Sequence, residues 1–466
     1  MPLKMGWLAP WALVALGCAV GPDYKRPEVR TDASFQNAGA DGFAQNDTVS
    51  TWWTIFNDPQ LTRLVQDAVA ANHDLRVAQA NVRQARALLL EARYDYYPTV
   101  PVSGGYERQR FSKASAIGPD HDRDFFFAGF DATWELDIFG HVKRSVEARG
   151  AQVEAAEATQ QDVLVSVLAE VARNYFELRG AQDRLEVARR NADNQSKTYK
   201  LTVSLQDGGR GSDLDTQRAK AQLESTLASI PSLEANVEQI IYRLSVLTGR
   251  QPAALSQSLS PVAPLPVLPA SIAIGRPADL LRRRPDVRVA ERNLAAATAR
   301  VGVATADLYP RISFVGSIGV EGNQFPDMFR SGGDTYTFGP RLTWAAFDLG
   351  RVKARLKGTK AQSDAELARF ERTVLGALEE TDAALVAYAK ELGRLEHLRL
   401  AEEASRKATD LATKRFETGG IGDFLTVLDA ERRTLEAQDE LSQSRTRSVT
   451  LLVAIFKALG GGWEQP

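Results

Sequence analysis

The chain of 466 residues holds one cysteine, Cys18, and four histidines. A lone thiol excludes an internal disulfide and a cysteine-rich metal site. His73, His121, His141 and His397 are scattered, and no two stand at the i, i+3 or i+4 spacing of a ligand pair, so no metal site is expected. Charge of one sign is also lacking. The net charge is −2, which gives no electrostatic footprint for nucleic acid. Past the first 17 residues there is no apolar run of about 18, the length a membrane-spanning helix needs. The Gly-Gly turns follow helical stretches rather than strands, so they are not phosphate cradles. No nucleophile and base stand in a catalytic constellation. The chain reads as a non-enzyme without a dissociable cofactor.

What is present begins at the first residue. MPLKMGWLAPWALVALG (1–17) has a short positive start, about a dozen apolar residues and a small residue before Cys18, the pattern of an export signal. The stretch around Cys18 resembles the bacterial lipoprotein box, with Ala15 where Leu is commonest. That resemblance implies cleavage before Cys18 and acylation of its thiol, palmitate included. Ala19, in place of the Asp that retains lipoproteins at the inner membrane, implies the outer membrane. Cysteine-free sequence thereafter suits an oxidising periplasm. Residues 18–60 form a lipidated N-terminal extension. The alternative is an uncleaved apolar anchor with a buried cysteine.

The rest of the chain is duplicated. Residues 73–98 align without gaps to 285–310, with eleven of 26 positions identical, among them Asp74/Asp286, Tyr97/Tyr309 and Pro98/Pro310. Gly140, Val142 and Lys143 answer Gly350, Val352 and Lys353, and Gly208 answers Gly419, at an offset of 210–212. The first repeat is 61–260 and the second 276–466. Between them lies a Pro-rich linker (261–275) that cannot be helix. Each repeat reads as a helix ending at Tyr-Pro, two strands, a very long helix, a Gly-rich turn and a last helix. The long helices are expected over 140–206 and 350–417, the last helices over 212–248 and 423–459. At 1.5 Å per residue each long helix would reach roughly 100 Å, which points to packed coiled-coil pairs.

The strands are expected over 99–109, 125–138, 311–321 and 335–347. Each alternates with period two. Val102, Gly104 and Tyr106 share one face. So do Phe126, Phe130 and Trp134, then Ile312, Phe314 and Ile318, then Tyr336, Phe338 and Leu342. Their neighbours are mostly polar or small. About ten residues, apolar on one side and with aromatics near the ends, is the pattern of outer-membrane barrel strands. Two amphipathic hairpins on a soluble core are the alternative. Four strands cannot close a barrel, and lipid tolerates no open edge. Two chains would give eight strands with a filled interior; three would give twelve and room for a channel.

CAVGPDYKRP (18–27), WWTIFNDPQLTRLV (52–65), RRRPDVRVAERNL (282–294) and FKALGGGW (456–463) carry a resemblance over nearly the whole mature chain. It resembles the TolC-like outer-membrane factors of tripartite efflux systems, in the lipidated branch paired with resistance-nodulation-division pumps. The resemblance implies an α+β fold: a homotrimer whose twelve-stranded outer-membrane barrel continues into a periplasmic coiled-coil barrel of twelve long helices with a mixed equatorial belt. It implies a periplasmic adaptor and an inner-membrane pump as partners, and outer-membrane lipid around the barrel. The function it implies is a passive duct for drugs or other small toxic solutes. A type I protein-secretion duct and a lipid-anchored periplasmic scaffold are the alternatives.

The work of such a protein lies in docking and gating. The turns DGGRGSDL (207–214) and TGGIGDFL (418–425) place Gly208, Gly211, Gly419 and Gly422 at chain reversals, which are candidate adaptor-docking turns. Ser212 and Asp423 read as helix N-caps, and Ser212 with Asp215 resembles a capping box. Leu425, Asp429 and Arg432 follow at spacings of four and three, hence on one helix face. The resemblance places a periplasmic gate at these three residues. Read from spacing alone, Asp429 and Arg432 are an ordinary exposed pair. In the first repeat Leu214 matches Leu425, but Arg218 stands where Asp429 would be.

Overall fold

The computed structural model describes residues 19–36, 42–44, 51–112, 114, 121–417 and 424–463. Its elements run β1 (Phe43–Ala44), α1 (Pro59–Ala71), α2 (His73–Tyr94), β2 (Val102–Arg110), β3 (Asp122–Leu136), α3 (His141–Asp207) and α4 (Asp213–Leu247). There follow α5 (Ser256–Leu259), β4 (Ile272–Ala273), α6 (Pro277–Arg283), α7 (Pro285–Ala306), β5 (Arg311–Gly322), β6 (Asp334–Thr343), α8 (Leu349–Glu417) and α9 (Phe424–Ala458). The duplication is plain in this order. The repeats are not the compact units, however. One unit takes the described residues of Met1–Glu28, Ala80–Ala158 and Arg288–Arg372; the other takes those of Val29–Gln79, Thr159–Val287 and Thr373–Pro466. Each unit draws on both repeats.

The first unit holds a four-stranded antiparallel sheet in the order β2-β3-β5-β6. Its centre is the ladder between β3 and β5, which joins the repeats. The register keeps every expected apolar position on one face. Val102 pairs with Phe130, Phe130 with Ile318, and Ile318 with Tyr336. One row further down, Ala132 pairs with Gly316 and Gly316 with Phe338. A pleat alternates faces residue by residue, so a slip of one would have scattered these side chains to both sides. This face is bare: Ile318 is 65% exposed and Phe338 80%.

The strand ends differ from expectation for local reasons. β2 begins at Val102 because Pro98 and Pro101 lack a donor; before it only the isolated bridge Thr99↔Thr133 forms. β3 begins at Asp122, earlier than expected, since Asp122 pairs with Arg110 at the far end of β2. β6 stops at Thr343, where the chain turns with Asp348 N–H donating to the Ala345 carbonyl. Trp344 therefore leaves the ladder, and its indole N–H donates to the Leu308 carbonyl at 3.1 Å. α3 is started by Asp137, whose carboxylate accepts from the Val142 and Lys143 amides at 2.9 and 2.7 Å.

The residues after Cys18 dock on this unit. Val20 N–H donates to the Phe139 carbonyl, in the turn between β3 and α3. Arg144, almost fully buried, donates to the Val20 carbonyl and to Asp23 at 2.6 Å. The contact is close enough to need glycine: a Cβ on Gly140 would lie 2.5 Å from that of Ala19. Cys18 itself lies outside the described residues.

The second unit holds the main apolar core, to which WWTIFNDPQLTRLV and FKALGGGW contribute Trp52, Leu61, Leu64 and Phe456. Asp58 caps α1 through the Gln60 and Leu61 amides and accepts from the Tyr175 hydroxyl at 2.5 Å. Burial and Asp58 push the Tyr175 hydroxyl up to about 12. Trp52 stacks on Phe456 with centroids 5.2 Å apart, joining WWTIF to FKALGGGW. Arg284 is buried with Asp286, Glu380 and the Ala458 carbonyl as acceptors. The linker expected over 261–275 is not featureless. Its β4 pairs in parallel with β1, Phe43 opposite Ile272. Among the described residues no helix is long and apolar enough to cross a membrane.

Candidate functional site

The candidate site is the far end of the long helices in the second unit. α3 reverses into α4 through Asp207–Ser212. Gly209, with φ of 70°, takes the left-handed position there, not Gly208 or Gly211. Gly211 is needed for another reason: a Cβ would lie 2.7 Å from the Gln206 nitrogen. Gly208 has no such demand. Ser212 caps α4, its hydroxyl accepting from the Leu214 amide at 3.1 Å. Asp215 faces Arg218 at 3.8 Å. Gly419, Gly422 and Asp423 lie outside the described residues.

α9 begins at Phe424, buried against Phe416 of α8 with ring centroids 5.5 Å apart. That seat turns Leu425 outward, 46% exposed. Asp429 follows one turn on. The structure brings Asp429 and Arg432 together at 3.1 Å and adds a partner, Arg433 Nε, at 2.9 Å. The i, i+4 spacing of Asp429 and Arg433 is in the sequence, and it is the signal that would have found this pair. Arg432 also approaches Glu436 at 3.9 Å. The acid is thus offset within its own helix.

The face of α9 behind the candidate gate is polar. Towards α3, Thr198 donates to Glu431 at 2.7 Å, Asn191 to Gln438 at 2.9 Å, and Arg184 grips Asp439 at 2.6 Å. Towards α8, Thr409 and Thr434 hydroxyls lie 2.8 Å apart, and Ser444 donates to buried Glu391 at 2.6 Å. Burial holds the Glu431 carboxyl above the ordinary glutamate range, with the Thr198 hydrogen bond acting the other way. Side-chain hydrogen bonds of this kind contribute about 1 kcal/mol net each, so the seam holds the helices in register without a large apolar lock. No group of His, Cys, Asp and Glu suited to a metal occurs among the described residues.

The arrangement offers a paired charge beside an exposed leucine, the α3–α4 hairpin end and a lipid-compatible sheet. The chain matches the family described as outer membrane efflux protein over residues 64–250 and 277–461, one stretch in each repeat. The chain belongs to the outer membrane efflux protein family. It is 30% identical to Nodulation protein T of Rhizobium leguminosarum bv. trifolii, covering 97% of this chain and 96% of that one. It is 31% identical to the toluene efflux pump outer membrane protein TtgC of Pseudomonas putida, covering 98% and 95%. Among solved structures, the outer-membrane channel OprN is similar at TM-score 0.91 and 41% identity, over 96% of this chain and 100% of that one. The open-state MtrE channel of Neisseria gonorrhoeae is similar at 0.84 and 28%, over 96% and 99%. The efflux protein is an outer-membrane channel component with the α+β channel fold. Its family is one of ducts rather than enzymes.

Proposed function

We propose that three copies of this efflux protein join their sheets into a twelve-stranded outer-membrane barrel, and that twelve long helices continue it as a periplasmic tunnel. The observation that carries this reading is the sheet itself. Its apolar face is continuous and bare, and neither β2 nor β6 has an outer partner among the described residues. In hydrocarbon every unpaired backbone group costs several kcal/mol, so these edges need neighbours. Eight strands from two copies would fill their interior with side chains, whereas twelve leave a channel. The duct conducts passively what a periplasmic adaptor and an inner-membrane resistance-nodulation-division pump deliver. Small organic solvents and antibiotics are the cargo class, by analogy with the relatives named for toluene, solvent and antibiotic efflux.

In this reading the α3–α4 and α8–α9 turns receive the adaptor, and Leu425, Asp429 and Arg432 narrow the resting tip. An acyl chain on Cys18 enters the inner leaflet; the docking of Ala19 and Val20 beside the end of β3 supports that placement. Mass spectrometry of the mature N-terminus tests the lipid, and an unmodified Cys18 removes it. Planar-bilayer recording tests the duct. Trimers that assemble but carry no current would leave a periplasmic scaffold. Co-purification with a proton-driven pump and its adaptor, rather than with an ATP-driven exporter, separates drug efflux from type I secretion.

A further inference from the structure

The helices that adjoin the sheet carry a groove of about 340 Å³, lined by α3, α7 and α8 and lying wholly in the first unit. Its ionisable lining groups are Arg149, Arg300, Arg355 and Asp307. Asp307 is already offset: Arg311 donates to it at 2.5 Å, and Arg355 approaches it at 3.7 Å. Arg149 donates to neutral Gln152 at 3.1 Å. Arg300 is half-buried and has no hydrogen-bond or ion-pair partner among the described residues. A guanidinium does not give up its proton, so partial burial leaves it in want of an acceptor. Val303 and Ala304 supply apolar lining, and Thr359 a hydroxyl.

Gly302 settles the flank on which the groove opens. A Cβ on Gly302 would lie 2.8 Å from the Arg144 side chain, and a Cβ on Gly21 would lie 2.5 Å from the Gly302 Cα. Gly302 therefore faces the peptide that follows Cys18. Arg300 and Ala304 stand two residues either way, about 160° round the helix and so on the opposite flank. The sheet agrees. Asp307 is held by Arg311, an odd-numbered residue of β5, on the face turned away from Phe314 and Ile318. In the duct reading lipid lies on the side of Cys18 and Phe314, and the groove lies on the side of the bore.

We propose that this groove is an anion station inside the duct, and that it takes an amphipathic organic anion, a carboxylate joined to an apolar ring, on its way out. The inference rests on the duct reading above and narrows its cargo class. The planar fork of Arg300 suits a carboxylate, which can accept two parallel hydrogen bonds from it. The ring then covers Val303 and Ala304. Three arginines in each of three copies surround the bore, so their field concentrates anions before any one is bound. An uncharged solvent gains nothing from these groups.

The test titrates 2-naphthoate, and 2-naphthamide as its uncharged counterpart, into full-length purified protein and follows their fluorescence. Naphthoate is expected to bind saturably, and naphthamide about tenfold more weakly or worse. Arg300→Gln should weaken naphthoate about tenfold, the loss of one charge-assisted bond. Arg149→Gln changes an exposed side chain, which spares the fold, and should weaken it about threefold. Arg351→Gln, whose guanidinium pairs with Asp348 at 3.0 Å outside the groove, should bind as wild type does. Equal binding of acid and amide, or unchanged binding in either assembled groove variant, overturns the anion station. Its place in the bore is read separately. Thr359→Cys is treated in a planar bilayer with a negatively charged, membrane-impermeant methanethiosulfonate, and single-channel current is expected to fall. Unchanged current after complete modification overturns the cargo role and leaves the duct standing. No current from an assembled trimer that still binds naphthoate overturns the duct reading, and the cargo role with it, but not the anion site.

Discussion

The indole N–H of Trp134 donates to the main-chain carbonyl of Tyr96 at 3.0 Å. Trp344 repeats the bond to Leu308 at 3.1 Å in the second repeat. Both tryptophans lie at the end of the apolar strand face, and both tie that end to the turn that leads from a helix into Tyr-Pro. An indole with one apolar flank and one hydrogen-bonded nitrogen is suited to a membrane interface. Trp134→Phe and Trp344→Phe should each lower assembled-protein stability by about 1 kcal/mol, the net value of one hydrogen bond. Because the two bonds are equivalent, the two losses should be alike. Heat-dissociation curves on gels would measure them, and one silent substitution would break the equivalence.

Strand faces give a sharper contrast. Ile318→Arg or Phe338→Arg should cost roughly 2–4 kcal/mol of assembly each if the site is near the bilayer midplane. Ser317→Arg or Thr337→Arg, one residue along the same strands, should be tolerated. Yields of folded, heat-modifiable protein in outer membranes would report both. Equal damage on the two faces would contradict a lipid-facing sheet.

At the candidate gate, Arg432→Ala alone leaves Asp429 paired with Arg433. Its effect on conductance should be small. Asp429→Ala with Arg432→Ala removes the acid and one of its two partners, and should raise conductance and admit large antibiotics such as vancomycin. Single-channel recording and growth inhibition would decide. Wild-type conductance in an assembled double variant would place the constriction elsewhere.

Glu431 gives the α3–α9 seam a pH dependence of definite sign. Its carboxyl is held above the ordinary glutamate range by burial, so the folded form binds a proton more tightly than the unfolded form. Stability from this group is full below the unfolded value, about 4.3, and is lost as pH rises through the raised folded value. Glu431→Gln should therefore stabilise the protein at neutral pH and leave stability unchanged in acid. Thermal melts at several pH values would show the two curves converge as pH falls. Parallel curves would mean that another group sets the slope.

The parts of this molecule that were legible in its sequence are those fixed by local periodicity. The pleat forces alternation, so the faces of Phe130, Ile318 and Tyr336 were readable before any pairing was known. Strand ends were less so, because they depend on which amide is missing, as at Pro101, and on where the chain turns, as after Ala345. The Asp429–Arg432 contact is an i, i+3 pair and needs no tertiary information. Contacts between distant segments left no local trace. The stack of Trp52 on Phe456, the hold of Arg284 on Glu380 and the seam from Thr198 to Glu431 require knowing which helices are neighbours. The quoted motifs marked Trp52, Arg284 and Phe456 as special, but not as the cement of the core.

The ladder between β3 and β5 also imposes an order in time. Leu136 finds its partner Ile312 only after the whole of α3, α4 and the linker have been synthesised and exported. Until then the first hairpin has two bare edges and too few strands to persist alone. The four-stranded sheet therefore stays unmade until the second repeat has been delivered. A fragment ending before β5 would be degraded or aggregated rather than inserted, however well its own hairpin could pair.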